Sequence, residues 1–261
     1  ISAYNDYIRG RTAARTGGSI QDVMQSLDRA ISNGGHPEYA SLKLDILNQL
    51  YAQTGDSAYN EEAARTLIQA KNADPYYKAF VYRELQLHLN TGDYGSAADL
   101  LRDAISKYPW DIVMYEHLAS VAFQQGIIEL QNNHVESAKN YWNDIFAIRD
   151  SVIEKAEYLD TLPEAQAQGR AFGITSGLAL PLGQVHFYLG EYEDAEGYLA
   201  QAIDPKLDDQ QDIVPAIFYL ATLLKEGKND SELYNKLMNA FPDSQEDLKE
   251  QINALAASNP V

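Results

Sequence analysis

Residues 63–109 read AARTLIQAKNADPYYKAFVYRELQLHLNTGDYGSAADLLRDAISKYP and repeat themselves with a period of 34 residues. The repeat is carried by Ala63, Leu67, Ala70 and Pro75, which return as Ala97, Leu101, Ala104 and Pro109. Between these positions, apolar residues at helical spacing are interrupted at Gly92, which itself returns as Gly126. The pattern predicts a helix, a short turn and a second helix per repeat, with a proline ending each unit.

The same unit continues outward in both directions, with degenerate copies at the two ends. We predict six helical pairs over approximately residues 3–34, 41–75, 78–109, 112–160, 177–204 and 213–242, followed by a capping helix over 244–257. No Gly/Ser-rich or Pro-rich linker divides the chain, so we expect one repeat domain over residues 1–261. The predicted fold class is all-α, an α-α superhelix or solenoid.

Two irregularities interrupt the period in the second half of the chain. The step from Ala97 to Ala138 is 41 residues, one heptad longer than the period, so we expect the fourth pair to be lengthened and to protrude. A further 23 extra residues fall between about Arg149 and Ser176. We interpret them as a long helix to Asp160 and a connection over residues 161–176, which we expect to border the binding surface or to contact a partner.

The period, the Gly and Ala positions and the closing Pro resemble the tetratricopeptide repeat (TPR) family, most strongly over residues 41–109. Turns of the family's type occur at Gly55-Asp56, Gly92-Asp93-Tyr94 and Gly190-Glu191-Tyr192. The family's early Trp is absent, with Leu44, Val81 and Tyr115 in its place. The resemblance implies a superhelix that binds a protein or peptide on the concave face formed by the first helix of each pair.

That concave face would carry mostly neutral, amide-rich positions interleaved with tyrosine. By the family's frame they are Asp45, Gln49, Gln53, Tyr82, Gln86, Asn90, Glu116, Ser120, Gln124, Gln184 and Tyr188. Amide and phenol groups suit hydrogen bonds to a peptide backbone or to sugar hydroxyls, so a glycan is the alternative ligand. No lysine and asparagine clamp for a C-terminal carboxylate is visible, and a solvated groove with the ligand bound elsewhere remains open.

Composition excludes several classes of function. The 261 residues are 45% apolar with a formal net charge of −18, so an acidic surface would repel nucleic-acid phosphates and anionic membranes. No run approaches the roughly 18 apolar residues that cross a bilayer, so this segment is not expected to insert into a membrane. The absence of cysteine favours a bacterial, extracytoplasmic protein over a cytoplasmic one, and the missing initiator Met suggests a processed form or an excised domain.

Catalytic and metal-binding motifs are not found. The five histidines include no His-x-x-x-His spacing, and we interpret His88 and His186 as packing residues of first helices. Acidic pairs such as Glu61-Glu62 and Asp208-Asp209 suit exposed faces and helix starts. We therefore predict no catalytic residue, no metal site and no cofactor. An enzyme would need a site assembled from the connection in the 160s and the groove.

A weaker resemblance narrows the functional interpretation. Residues 3–7, 21–27, 36–39 and 73–76 are similar to the repeat domain that follows the membrane-spanning part of O-antigen ligase-like or polymerase-like proteins of Gram-positive bacteria. The resemblance implies that a membrane-anchored parent carries the glycan chemistry and that this domain holds glycan, acceptor protein or another subunit. The alternative is a free exported carbohydrate- or cell-wall-binding protein.

Overall fold

The computed structural model describes residues 2–74, 77–163, 172–204, 206–207 and 210–261. In these ranges all regular secondary structure is helical, with thirteen α-helices and no strand, which confirms the all-α prediction. None of these helices combines the length and the apolar character needed to cross a membrane.

The helices follow one another with short turns, and two 3₁₀ turns cover Gln210–Asp212 and Pro242–Ser244. The α-helices are α1 (Ser2–Arg15), α2 (Ile20–Gly34), α3 (Pro37–Thr54), α4 (Ser57–Ala73), α5 (Ala79–Asn90), α6 (Tyr94–Lys107), α7 (Ile112–Gln131), α8 (Val135–Asp160), α9 (Ser176–Leu189), α10 (Tyr192–Ala202), α11 (Ile213–Lys225), α12 (Ser231–Ala240) and α13 (Gln245–Ala257). The chain forms two compact units, residues 1–101 and 102–261, and α6 contributes to both. The expectation of one domain over 1–261 stays a prediction.

The first unit packs its helices in sequential pairs. Helix α1 contacts α2 and α3 contacts α4, while α2 contacts α3 and α4 contacts α5. The first helices α3 and α5 also touch each other, which is the connectivity of a stacked helical repeat. Ala63 and Ala70 lie in the core with Leu44 and Leu67, because a small side chain lets two helices approach closely. Gly55 ends α3 with a φ of 67°, a left-handed conformation that favours glycine.

The second unit repeats this connectivity around a more aromatic core. Helix α7 pairs with α8 and α9 with α10, while the first helices α7, α9 and α11 pack side by side. Trp142 is fully buried on α8 and stacks on Tyr188 of α9, with ring centroids 5.6 Å apart. Helix α13 covers α11, where Leu248 and Ile252 join the core of the unit.

The bounds and lengths of the observed helices can be compared with those of the predicted helical pairs. The predicted fourth pair corresponds to α7 and α8, which have 20 and 26 residues, whereas α5 and α6 have 12 and 14. Leu67 and Leu101 are buried, as the repeat register predicts. Pro75 and most of the predicted connection, residues 164–171, lie outside the described residues.

Candidate binding surface

Helix α3 presents a row of polar side chains at four-residue spacing. Asp45, Gln49 and Gln53 are all exposed, and their spacing places them on one face of the helix. The Asp45 carboxylate lies 2.5 Å from the Arg83 guanidinium of α5. Partial burial raises the pKa of Asp45 above its ordinary value, and the opposing influence of Arg83 does not fully offset it. The row therefore offers two free amides beside one ion pair.

Helix α5 carries the neighbouring row, in which Gln86 is exposed and Tyr82 and Asn90 are half-buried. The Gln86 side-chain amide donates to the Asn90 side-chain oxygen at 2.7 Å. Asn90 in turn donates to the Asn60 side chain of α4 at 3.2 Å, and its backbone carbonyl accepts from the Tyr51 hydroxyl of α3. These bonds fix the end of the α5 row to both helices of the preceding pair.

In the second unit, α7 carries Glu116, Ser120 and Gln124 at the same spacing. Ser120 and Gln124 are exposed, whereas Glu116 is half-buried and accepts a hydrogen bond from the Thr175 hydroxyl. A Cβ at Gly177 would lie 2.7 Å from the carboxyl carbon of Glu116, so the carboxylate packs on the start of α9. Glu116 therefore has a structural role that the sequence does not reveal.

Of the two predicted positions on α9, Gln184 does not match the expected solvent-facing surface. Gln184 is only 7% exposed, and Tyr188 is half-buried against Trp142 and Phe123. Burial raises the pKa of the Tyr188 phenol. The physical reason is that α9 lies between α7 and α11 and also touches α8 and α10, so most of its faces are covered. This corrects the prediction of an open groove position at Gln184.

Among the described residues, one group has ligand atoms spaced closely enough to suit a metal ion, and His186 belongs to it. Its ligand atom and those of Glu191 and Asp194 lie within 4.8 Å of one another. The His186 ring is buried and stacks on Tyr198, while Nδ1 is 2.6 Å from the Glu191 carboxylate. The same spacing of five residues recurs at the third pair's turn, where His88 lies 3.5 Å from Asp93. The repeated contact favours a role in the turn, in agreement with the packing interpretation.

A surface that sequence reasoning missed lies in the second unit. Trp110, in the turn between α6 and α7, stacks on Tyr158 near the end of α8, and both rings are about half exposed to solvent. A Trp immediately after a repeat-ending Pro is the only signal in the sequence. The contact partner, 48 residues later, could not be read from any spacing.

Comparison with known proteins supports the fold. No family model matches the chain, and no curated protein matches it. Among solved structures, the chain is similar to a thermophilic TPR protein of Thermus thermophilus, with a TM-score of 0.54 and 19% sequence identity. The match covers 83% of this chain and 98% of that one. The described residues of this chain therefore have a TPR-like, all-α solenoid fold.

Proposed function

We propose that this chain is a non-catalytic module that binds a protein or peptide partner and serves in assembly. The observation that carries the proposal is the exposed amide surface of the first unit, formed by Gln49 and Gln53 of α3 and Gln86 of α5. Helices α3 and α5 touch each other, and the row residues Asp45 and Asn90 each contact the other helix, so we treat the two rows as one surface. We name Gln49, Gln53 and Gln86 the amide surface.

The chemistry of the amide surface suits a peptide backbone. Each glutamine side chain offers two N–H donors and one carbonyl acceptor, which match the alternating groups of an extended chain. The bond from Gln86 to Asn90, and those from Asn90 to α4 and α3, reduce the ordering that a ligand must induce. The same groups could bind sugar hydroxyls, which makes a glycan the second candidate.

The finer proposal concerns the parent protein. On the resemblance of residues 3–7, 21–27, 36–39 and 73–76, this is the extracytoplasmic repeat domain of a membrane-anchored, glycan ligase-like or polymerase-like protein. In that setting the membrane part carries the chemistry, and this domain holds an acceptor protein or another subunit. A free exported carbohydrate- or cell-wall-binding protein is the alternative. The acidic surface argues against a nucleic-acid partner in either case.

Selection from a phage library of random dodecapeptides, panned on the whole chain, tests the proposal. Selected peptides are synthesised, and their affinity is measured by fluorescence anisotropy. Replacing the amide surface by Gln49→Ala, Gln53→Ala and Gln86→Ala should weaken binding about 10-fold, because several hydrogen bonds of about 0.5–1.5 kcal/mol each are lost.

The control variant removes three exposed amides from second helices instead, through Gln25→Ala, Gln69→Ala and Asn72→Ala. It should leave affinity unchanged. Equal losses in the two variants, or none in either, would contradict the assignment of the surface. A neutral oligosaccharide array probed with the same variants distinguishes the alternative: binding to glycans alone, lost with the amide surface, would replace the peptide by a sugar.

A further inference from the structure

Trp110 and Tyr158 form an exposed aromatic surface in the second unit. Their rings are nearly parallel, at 21°, with centroids 6.3 Å apart. Trp110 is 48% exposed and Tyr158 is 56% exposed, although both are large side chains that folding usually buries. Within the described ranges, the cation–π pairs use Tyr7, Phe146 and Tyr192, and none uses Trp110 or Tyr158.

The position of Trp110 is fixed by its surroundings. The buried Tyr115 of α7 donates its hydroxyl hydrogen to the carbonyl of Pro109 at 3.0 Å. The amide of Asp111 donates to the carbonyl of Tyr108, which closes the turn around Trp110. Phe172 meets the Trp110 ring edge-on with centroids 5.6 Å apart. The indole is therefore held in place while about half of its surface faces solvent, so little ordering is needed on binding.

The end of α8 adds negative charge beside these rings. Residues 154–160 contain three carboxylates and one lysine, and the last turn of α8 contains no basic residue. Carboxylates near a helix C-terminus interact unfavourably with the helix dipole, so they are not explained by helix stability. Glu154 lies one turn before Tyr158, and both it and Glu157 are exposed. Neither carboxylate makes an ion pair with another residue in the ranges that the structure covers.

We propose that Trp110, Tyr158, Glu154 and Glu157 form a docking surface for an arginine-containing basic segment of a partner protein. We call these four residues the cation surface. We infer a basic partner from charge complementarity, because electron-rich ring faces and unpaired carboxylates both attract cations. Arginine suits the surface better than lysine, since its planar guanidinium stacks on aromatic rings while donating to a carboxylate. This interaction is additional to the amide surface of the first unit and does not depend on it.

Fluorescence anisotropy with a labelled peptide Ac-GRRGRRGRRG-NH₂ and the whole chain tests this proposal. The double variant Trp110→Ala/Tyr158→Ala should weaken binding about 5- to 20-fold, since each exposed cation–π contact contributes about two- to five-fold. The variant Glu154→Gln/Glu157→Gln should weaken it about 3- to 10-fold and reduce its dependence on salt. The lysine counterpart of the peptide should bind more weakly to the unaltered chain.

The matched control is Glu193→Gln/Glu250→Gln, which removes the same net charge from two other exposed positions. It should keep the affinity within about two-fold. An equal loss in this control would mean diffuse attraction by the net charge and would overturn the proposal. So would the absence of saturable binding, or full affinity in the aromatic variant. Neutral oligosaccharide binding that is lost in the aromatic variant but kept in the charge variant would assign the surface to a glycan instead. Because Glu154 and Glu157 are exposed, their variant tests the proposal even if the aromatic variant folds poorly.

Discussion

The two compact units differ in what their helix pairs bury. In residues 1–101 the core is built mainly from alanine and leucine, with Tyr39 and Phe80 as its buried rings, and the 4%-exposed Lys43 reaches Asp28 of α2 and Glu62 of α4. In residues 102–261 the equivalent space holds large rings, among them Trp142, Phe187 and Phe218. One repeat register is thus compatible with a charge-linked core and with an aromatic one. The stability of the first unit should therefore depend on pH, whereas the stability of the second should depend mainly on the volume of its buried side chains.

The largest predicted effect is in the aromatic core. Trp142→Ala removes a fully buried ring that stacks on Tyr188, so the free energy of unfolding should fall by about 3–5 kcal/mol. Urea unfolding followed by far-ultraviolet circular dichroism measures this loss. The other tryptophan of the chain, Trp110, is half exposed and serves as the control. Trp110→Ala should cost much less, and equal losses would contradict the description of the core.

A smaller effect is expected in the core of the first unit. Leu67→Ala should cost about 2–5 kcal/mol, because the buried leucine lies in a core cluster with Leu44 and Phe80 that can close only part of the cavity. Its neighbour Ile68 is 62% exposed, and Ile68→Ala should change stability by less than about 0.5 kcal/mol. A loss below about 1 kcal/mol for Leu67→Ala would show that the repeat register is wrong.

The charge-linked core should be sensitive to acid. The Lys43 ammonium lies 2.6 Å from the Asp28 carboxylate and 2.5 Å from that of Glu62. The hydrogen bond from Lys43 is the main reason why the pKa of Glu62 is lowered. Burial opposes this shift, and a smaller contribution from Arg65 supports it. Lys43→Met keeps most of the apolar stem and should cost about 1–3 kcal/mol near neutral pH, since the two carboxylates are partly solvated.

The pH dependence of that loss follows from the direction of the pKa shift. The folded state of a carboxyl with a lowered pKa binds fewer protons than the unfolded state, so its stabilisation is complete above the unfolded pKa. This stabilisation is lost as the pH falls through the pKa that the carboxyl has in the folded state. The difference in stability between the unaltered chain and Lys43→Met should therefore shrink between about pH 5 and pH 3. A difference that stays constant or grows over this range would contradict the assigned role of Lys43.

The helices could be predicted because their signals are local. Ala63, Leu67 and Gly92 mark crossing points and turns by residue type alone. The frame of the TPR resemblance names Gln49 and Gln86 as groove positions, and both side chains are exposed. Burial of Gln184 could not be predicted in this way, since it depends on neighbours packed on several sides of α9. The binding role of the amide surface stays a prediction.

The aromatic contact between Trp110 and Tyr158 shows a second limit of sequence reasoning. The two residues meet only because α8, which has 26 residues against 20 in α7, folds back along α7 and its end reaches the turn before α7. The repeat period does not predict this contact, because α8 continues far beyond the point at which a helix of the 34-residue repeat would end. The same applies to Glu116 and Thr175, which are 59 residues apart in the chain.

The smallest predicted effects concern the helix caps, where the two units differ again. The Ser19 hydroxyl accepts from the Asp22 amide at the start of α2 and donates to the Asp22 carboxylate, both within an exposed turn. Thr175 caps α9 through the Leu178 amide and, in addition, donates to Glu116 of α7, so it joins two helices. Ser19→Ala should therefore cost about 0.5–1 kcal/mol, and Thr175→Ala about 1–2 kcal/mol. Thr175→Ser keeps both bonds and should stay within about 0.5 kcal/mol of the unaltered chain. The urea midpoints of the three variants, measured under the same conditions, test these values. If Thr175→Ser loses as much stability as Thr175→Ala, the methyl group of Thr175, and not its bond to Glu116, stabilises the start of α9.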